Sequence, residues 1–356
     1  RNTYFSTVSD LVLGKKMKNL TLLTLSLFAT TSLIASSLID DAKNSGLVAL
    51  PESQSALLTL IDNPRNPITP QKVALGKQLF FEPRLSKSGF ISCNSCHNLG
   101  LGGVDGLAAA VGHKWTVNPH HLNSPTVYNA VFMQRQFWDG RDPDLEKQAQ
   151  GPIQAGPEMA ATKEHVVNTV KSIPKYVDAF KKAYGDGVKI TFEKVTDAIA
   201  TFERTLVTPS KYDAFLNGHT NALSSAEKKG MKVFIDKGCT SCHNGIALGG
   251  SMQAFGVTGE YKYKDVGDFR GNSNGLVKVP TLRNITQTAP YFHNGAVSTL
   301  DEAINEMGRI QLGLQLSRDE VTSIRIFLNT LTGDKGDIHY PQLPTSSPST
   351  PKADLK

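Results

Sequence analysis

Cys93-Asn94-Ser95-Cys96-His97 and Cys239-Thr240-Ser241-Cys242-His243 are the residues whose types and spacing most directly prescribe chemistry. Each is a C-x-x-C-H run, the attachment signature of a c-type haem. Two thiols add across the two vinyl groups of one porphyrin, and the adjacent imidazole supplies an axial nitrogen to the iron. The chain holds four cysteines, and the two runs use all of them. A zinc site also draws on paired cysteines, but zinc does not require a histidine directly after each pair. A redox-active dithiol is the other reading of C-x-x-C. The compartment separates these readings.

Lys15, Lys16 and Lys18 precede an apolar run from Leu20 to Ile34, and Ala35-Ser36-Ser37 offers small residues for cleavage. A run of about 15 residues is short for a membrane span and reads as an export signal. Residues 1–36 are therefore expected to be a signal peptide with some upstream sequence before Met17, outside the fold. The mature chain is expected in the periplasm, with no stable membrane span. Haem attachment occurs outside the cytoplasm, and no spare thiol remains for a disulfide. The formal charge is +6, half of it within the first 36 residues. No stripe of Lys and Arg appears, which argues against nucleic acid as a partner.

The elements that must position these motifs read as helices joined by long loops. Thr69-Pro70 has the form of an N-cap followed by proline at the first helical position, and Val73, Leu75, Leu79 and Phe80 form an apolar face. Ser225 is the expected cap of a helix containing Met231, Val233 and Phe234. Val195, Ile199, Phe202 and Leu206 have helical spacing, and 301–307 and 319–331 are further helix candidates. An internal duplication is visible. Gly76-Lys77-Gln78-Leu79-Phe80 precedes the first haem motif as Gly230-Met231-Lys232-Val233-Phe234 precedes the second. Leu101-Gly102-Gly103 and Leu248-Gly249-Gly250 follow them. The expected fold is mainly α, with two cytochrome c-like haem domains, long loops and little β structure. The first domain is expected over 40–206, completed by 335–345, and the second over 207–334. The Pro-, Ser- and Thr-rich segment 341–356 reads as a flexible tail.

His97 and His243 fill one axial position on each iron. Spacing alone does not choose the opposite ligand among His113, His120, His121, His165, His219, His293 and His339, or among the methionines.

Several longer blocks add information: Val-Gly-His-Lys-Trp (111–115), Asn-Ser-Pro-Thr-Val-Tyr-Asn-Ala (123–130), Gln-Phe-Trp-Asp-Gly-Arg (136–141) and Gln-Ala-Gln-Gly-Pro-Ile-Gln (148–154). Val-Pro-Thr-Leu-Arg-Asn (279–284), Ala-Pro-Tyr-Phe-His-Asn-Gly (289–295) and Met307-Gly308 follow. With them the chain resembles the bacterial di-haem cytochrome c peroxidases from about residue 50 to about residue 335. The resemblance implies reduction of hydrogen peroxide to water, with electrons from a small cytochrome c or a cupredoxin. It implies two covalent haem c groups, a calcium ion and a homodimer. His97 becomes the proximal ligand of the peroxidatic, low-potential haem, and His113 its releasable distal ligand. Gln148 and Glu158 become distal-pocket residues, and Trp138 lies between the haems. His243 and Met307 become the ligands of the high-potential, electron-transferring haem. Asn123, Thr288 and Pro290 become calcium ligands, the last two through backbone carbonyls. The segment Asn118 to Leu122, with two adjacent histidines, is longer than the family pattern. A non-catalytic di-haem electron carrier is the alternative reading. A quinone-cofactor maturation relative is disfavoured, because that enzyme carries tyrosine where Met307 stands.

Overall fold

The computed structural model describes residues 37–355. The signal-peptide reading of 1–36 lies outside the described residues. Among these residues the chain is mostly helical. The sheet consists of two short antiparallel strands, β1 (Met252–Ala254) and β2 (Leu276–Lys278), with Gln253 opposite Val277. No helix among the described residues is long and apolar enough to cross a membrane.

The first unit is built on α1 (Pro70–Phe80), α2 (Lys163–Ser172), α3 (Pro174–Tyr184) and α4 (Phe192–Arg204). Thr69 caps α1 by accepting from the amide of Lys72 at 3.2 Å, and Pro70 takes the first helical position. Leu75, Leu79 and Phe80 then pack among Val166, Val170, Phe180, Val195, Ala198, Ile199 and Phe202. Gly76 lets α1 approach the backbone of α4. A Cβ at this position would stand 1.9 Å from the carbonyl oxygen of Ala198.

The second unit repeats this arrangement with α5 (Ser225–Asp236), α6 (Leu300–Leu312) and α7 (Arg318–Asn329). Ser224, one residue earlier than expected, caps α5 in a capping box with Glu227; Ser225 is already helical. Ser317 and Glu320 do the same for α7. Met231 and Phe234 of α5 bury against Ile324, Phe327 and Leu328 of α7. Gly230 takes the place of Gly76, since a Cβ there would stand 2.1 Å from the carbonyl oxygen of Ser323. The duplicated Gly-x-x-x-Phe is thus a duplicated helix crossing. A fully buried ion pair stiffens this unit: Arg283 donates to both carboxylate oxygens of Asp213 at 2.7 and 2.9 Å.

The two ends of the described residues exchange sides. Leu38, Ile39, Ala42 and Leu47 pack in the second core, although Ala42 and Leu47 fall within the 40–206 expected for the first domain. The amide of Leu50 donates to Asp213 at 2.7 Å. At the other end, Ile338 and Leu343 pack on the first core. The segment 341–356, expected to be a flexible tail, is laid along that same unit as far as it is described. Arg84 donates to the carbonyl of Pro344 and the hydroxyl of Ser346 at 2.7 and 2.8 Å. Ser172 bonds Thr350 at 2.9 Å, and the amide of Asp354 donates to the carbonyl of Lys87 at 2.9 Å. These partners all lie far away in sequence, so composition gave no sign of them.

Candidate functional site

The first C-x-x-C-H begins as a four-residue helix, Cys93–Cys96. Ser95 Oγ accepts from the amide of Ser92 at 3.0 Å and fixes its start. The amide of His97 donates back to Cys93 at 2.9 Å. Burial pushes both thiols up, that of Cys96 to about 12, so the sulfurs are held neutral. Burial also lowers the basicity of His97, with Asp105 opposing. Its Nδ1 is buried and finds no hydrogen-bond partner. Cys96 and His97 line a cavity of about 970 Å³, at the upper end of the range for cofactor sites.

Gln148 and Glu158 line the same cavity. Gln148 closes the short helix Leu145–Gln148, capped by Asp144. Glu158 sits in the turn after the helix Gln150–Gln154, its amide donating to Ala155 at 3.0 Å. Burial raises the pKa of Glu158 above the ordinary carboxyl value, with Arg141 partly opposing. Arg141 is itself held by both oxygens of Asp139 at 3.0 Å and lies 3.4 Å from the centre of the Phe137 ring.

His113 is buried, yet it is not among the residues lining this cavity. Its amide donates to the carbonyl of Glu158 at 2.7 Å, and its Nδ1 is without a partner. Gly112 makes the approach of the two loops sterically feasible: a Cβ there would lie 2.2 Å from the carbonyl oxygen of Pro157. The next two residues, Lys114 and Trp115, both have positive φ (56° and 58°), a conformation L residues seldom adopt. The longer segment beyond them is pinned to the second unit. His120 Nδ1 lies 2.9 Å from Asp268, and His121 Nδ1 donates to the carbonyl of Asn294 at 3.2 Å.

At the second centre, Cys239, Cys242, His243 and Met307 line one further cavity, walled by Phe234, Ile304 and Leu328. His243 Nδ1 donates to the carbonyl of Leu248 at 3.1 Å. A carbonyl only accepts, so the proton is on Nδ1 and the Nε2 lone pair is available to a metal. Burial lowers the basicity of His243 and raises the Cys239 thiol to about 11. Thr299 caps α6, and Met307 projects from its second turn. A His243 imidazole with Nε2 left for a metal, neutral paired thiols and a histidine–thioether pair around two cavities all fit two covalently held porphyrins. Of the other histidines, His165, His219 and His339 line neither cavity; they are engaged with Arg84, Glu52 and Asp337. His293 is enclosed by Trp138, Phe255, Tyr261 and Phe269, and burial pushes its pKa down to about 4.

Trp138 lines both cavities. Its Nε1 donates to the carbonyl of Asn123 at 2.9 Å. The Asn123 amide in turn meets the carbonyls of Leu107 and Pro290 at 3.0 and 3.2 Å. Thr288 and Pro290 line the first cavity beside Asn123, so the three residues named as calcium ligands come together. They offer neutral oxygens, the donor type calcium accepts. Two buried titratable residues at the cavities went unnamed by the motifs. Glu203 at the end of α4 lines the first cavity with Oε2 unpartnered, and burial raises its pKa to about 8. Lys278 at the end of β2 lines both cavities.

Residues 70–221 match the family model described as di-haem cytochrome c peroxidase. The chain is 49% identical over 301 residues to a cytochrome c551 peroxidase of Nitrosomonas europaea, covering 82% of this chain and 89% of that protein. It is 46% identical over 300 residues to the cytochrome c551 peroxidase of Pseudomonas aeruginosa, covering 80% and 86% respectively. Among solved structures, a MauG-like protein associated with microbial copper homeostasis superposes with a TM-score of 0.68 at 26% identity, over 77% of this chain and 93% of that one.

Proposed function

The chain belongs to the di-haem cytochrome c peroxidase family and is a peroxidase, and from that premise we propose how its two centres divide the reaction. The overall change is hydrogen peroxide, two electrons and two protons to two waters. Cys93, Cys96 and His97 would hold a haem at the first centre, whose iron would supply the redox chemistry for cleaving the O–O bond. Everything else falls to the chain. Glu158 takes the proton of one peroxide oxygen and delivers it to the other, which departs as water. Gln148 orients the peroxide by hydrogen bonding and holds no transferable proton at neutral pH. His97 would ligate the iron of the first haem. His113, which does not line the cavity that Glu158 and Gln148 share, would leave that cavity to peroxide. His243 and Met307 hold the second haem as the electron entry, the thioether favouring a higher potential. Trp138 lies on the electron path between them. Asn123, Thr288 and Pro290 hold calcium between the units.

We further propose a periplasmic location, a small cytochrome c or cupredoxin as donor, and a homodimer. The observation carrying the catalytic reading is one cavity that joins Cys96 and His97 to a buried carboxyl of raised pKa.

The test is peroxide consumption by the holoprotein with a reduced donor cytochrome. Glu158→Gln is expected to lower kcat by about 100- to 10,000-fold, the usual worth of an acid–base group, with both haem spectra retained. The acid limb of the pH–rate profile of the unsubstituted enzyme should lie above the ordinary carboxyl range. Near-normal turnover of Glu158→Gln removes that residue from the mechanism.

A further inference from the structure

Lys278 is 5% exposed, and lysine is almost never buried this deeply unless paired. Its backbone is fixed on both sides. Its amide donates to the carbonyl of Trp138 at 2.8 Å, and β2 pairs it with Met252 of β1. Lys278 belongs to the lining of both cavities, a position it shares with Trp138. No hydrogen bond or ion pair joins its ammonium to a protein group among the described residues. Asp139, the acidic group that acts on it, is engaged by both of its oxygens with Arg141. Burial accordingly lowers the Lys278 pKa to about 8, with Asp139 only partly opposing.

The other Arg and Lys cations at the first cavity do not share this predicament. Arg141 is paired with Asp139, and Arg270 is exposed to solvent, one of its nitrogens donating to the carbonyls of Gly267 and Phe269 at 3.3 and 2.8 Å. Lys278 is thus the cation at the junction still in need of an anion. A buried ammonium without a partner is strongly unfavourable. A c-type haem carries two propionate carboxylates, and two such groups occupy the adjoining cavities in the reading above.

We infer that Lys278 is a haem-propionate anchor at the junction of the two centres, orienting a porphyrin edge beside Trp138 and raising the reduction potential of the haem it touches. The inference rests on the two-haem reading. Its sign follows from electrostatics. Reduction removes one positive charge from the iron centre, so a nearby ammonium favours the reduced form. Its removal shifts the equilibrium toward the oxidised form.

The test is spectroelectrochemical titration of holoprotein carrying Lys278→Met, after haem quantitation confirms two haems per chain. One centre is expected to shift toward the oxidised form by about tenfold or more, which is about 59 mV for a one-electron couple. Lys278→Arg, which keeps the charge, should show little of this shift and stay close to the unsubstituted potential. Potentials of both centres unchanged in Lys278→Met overturn the inference and leave the two-haem reading intact. Absence of haem from the unsubstituted chain sinks that reading instead. Should Lys278→Met fail to accumulate, a crystal structure of the unsubstituted holoprotein decides. Lys278 Nζ within about 3.2 Å of a propionate oxygen supports the anchor. Nζ bonded only to protein or water refutes it.

Discussion

Replacing Gly76 by alanine tests whether the duplicated helix crossing is held by backbone contact. In isolation the substitution favours helix by about 1 kcal/mol, because alanine is the better helix former. The structure opposes this. The new Cβ would stand 1.9 Å from the Ala198 oxygen, 2.8 Å from its carbonyl carbon and 2.9 Å from Phe202 Cβ. Relieving the first contact moves α1 away from α4 by more than an ångström, since the obstacle is backbone and cannot rotate aside. Overpacking a filled core typically costs about 1–3 kcal/mol, and a rigid obstacle belongs at the upper end. The expected net loss is about 1–2 kcal/mol, or roughly 2–8 °C in unfolding midpoint for units of this size. The assay is thermal unfolding of holoprotein followed in the far ultraviolet. Gly187→Ala is the control, because a Cβ there meets nothing within 4 Å. A Gly76→Ala midpoint equal to or above that of the unsubstituted protein would refute the reasoning.

Met307→His should lower the second centre's potential and slow electron entry; an unchanged potential in a redox titration excludes Met307 as ligand. Glu203 has a folded pKa of about 8 against an ordinary value of 4.5, so between these limits the folded state holds a proton that the unfolded state has released. Stability is therefore greatest below that window and falls as pH rises through it. Glu203→Gln should flatten that decline, as read from unfolding midpoints between pH 5 and pH 8; a parallel decline in both proteins would contradict the assignment. Asp213→Ala leaves Arg283 fully buried without its carboxylate, which should cost about 3–5 kcal/mol; a loss under about 1 kcal/mol in denaturant titration would show the pair to be dispensable.

The two haem motifs were legible because covalent attachment demands contiguous residues, so spacing alone carries the chemistry. The helices around Leu79 and Phe234 were legible through their apolar period and their caps, although Ser224 rather than Ser225 proved to be the cap. Lys278 and Glu203 were not. A lysine in a short strand and a glutamate at a helix end carry no local mark of burial; only the meeting of distant segments desolvates them. His113 was named only through the resemblance, since a lone histidine in a loop has nothing in its spacing to set it apart. The contacts of the tail were hidden for a related reason. Its Pro, Ser and Thr content describes a segment that cannot build its own core, yet Arg84, Lys87 and Ser172 supply partners from the far side of the sequence.

The crossed termini bear on how this molecule can be dissected. Residues 38–47 complete the core around Phe327, while 338–354 close over the helices that face Gly76. A cut near residue 206 therefore releases no self-sufficient half: the upstream fragment loses its C-terminal cover, and the downstream fragment loses an apolar segment of its own interior. Co-expressed fragments should recover native haem environments only by reassembling with one another, and a single-haem miniature must be made by circular permutation rather than truncation.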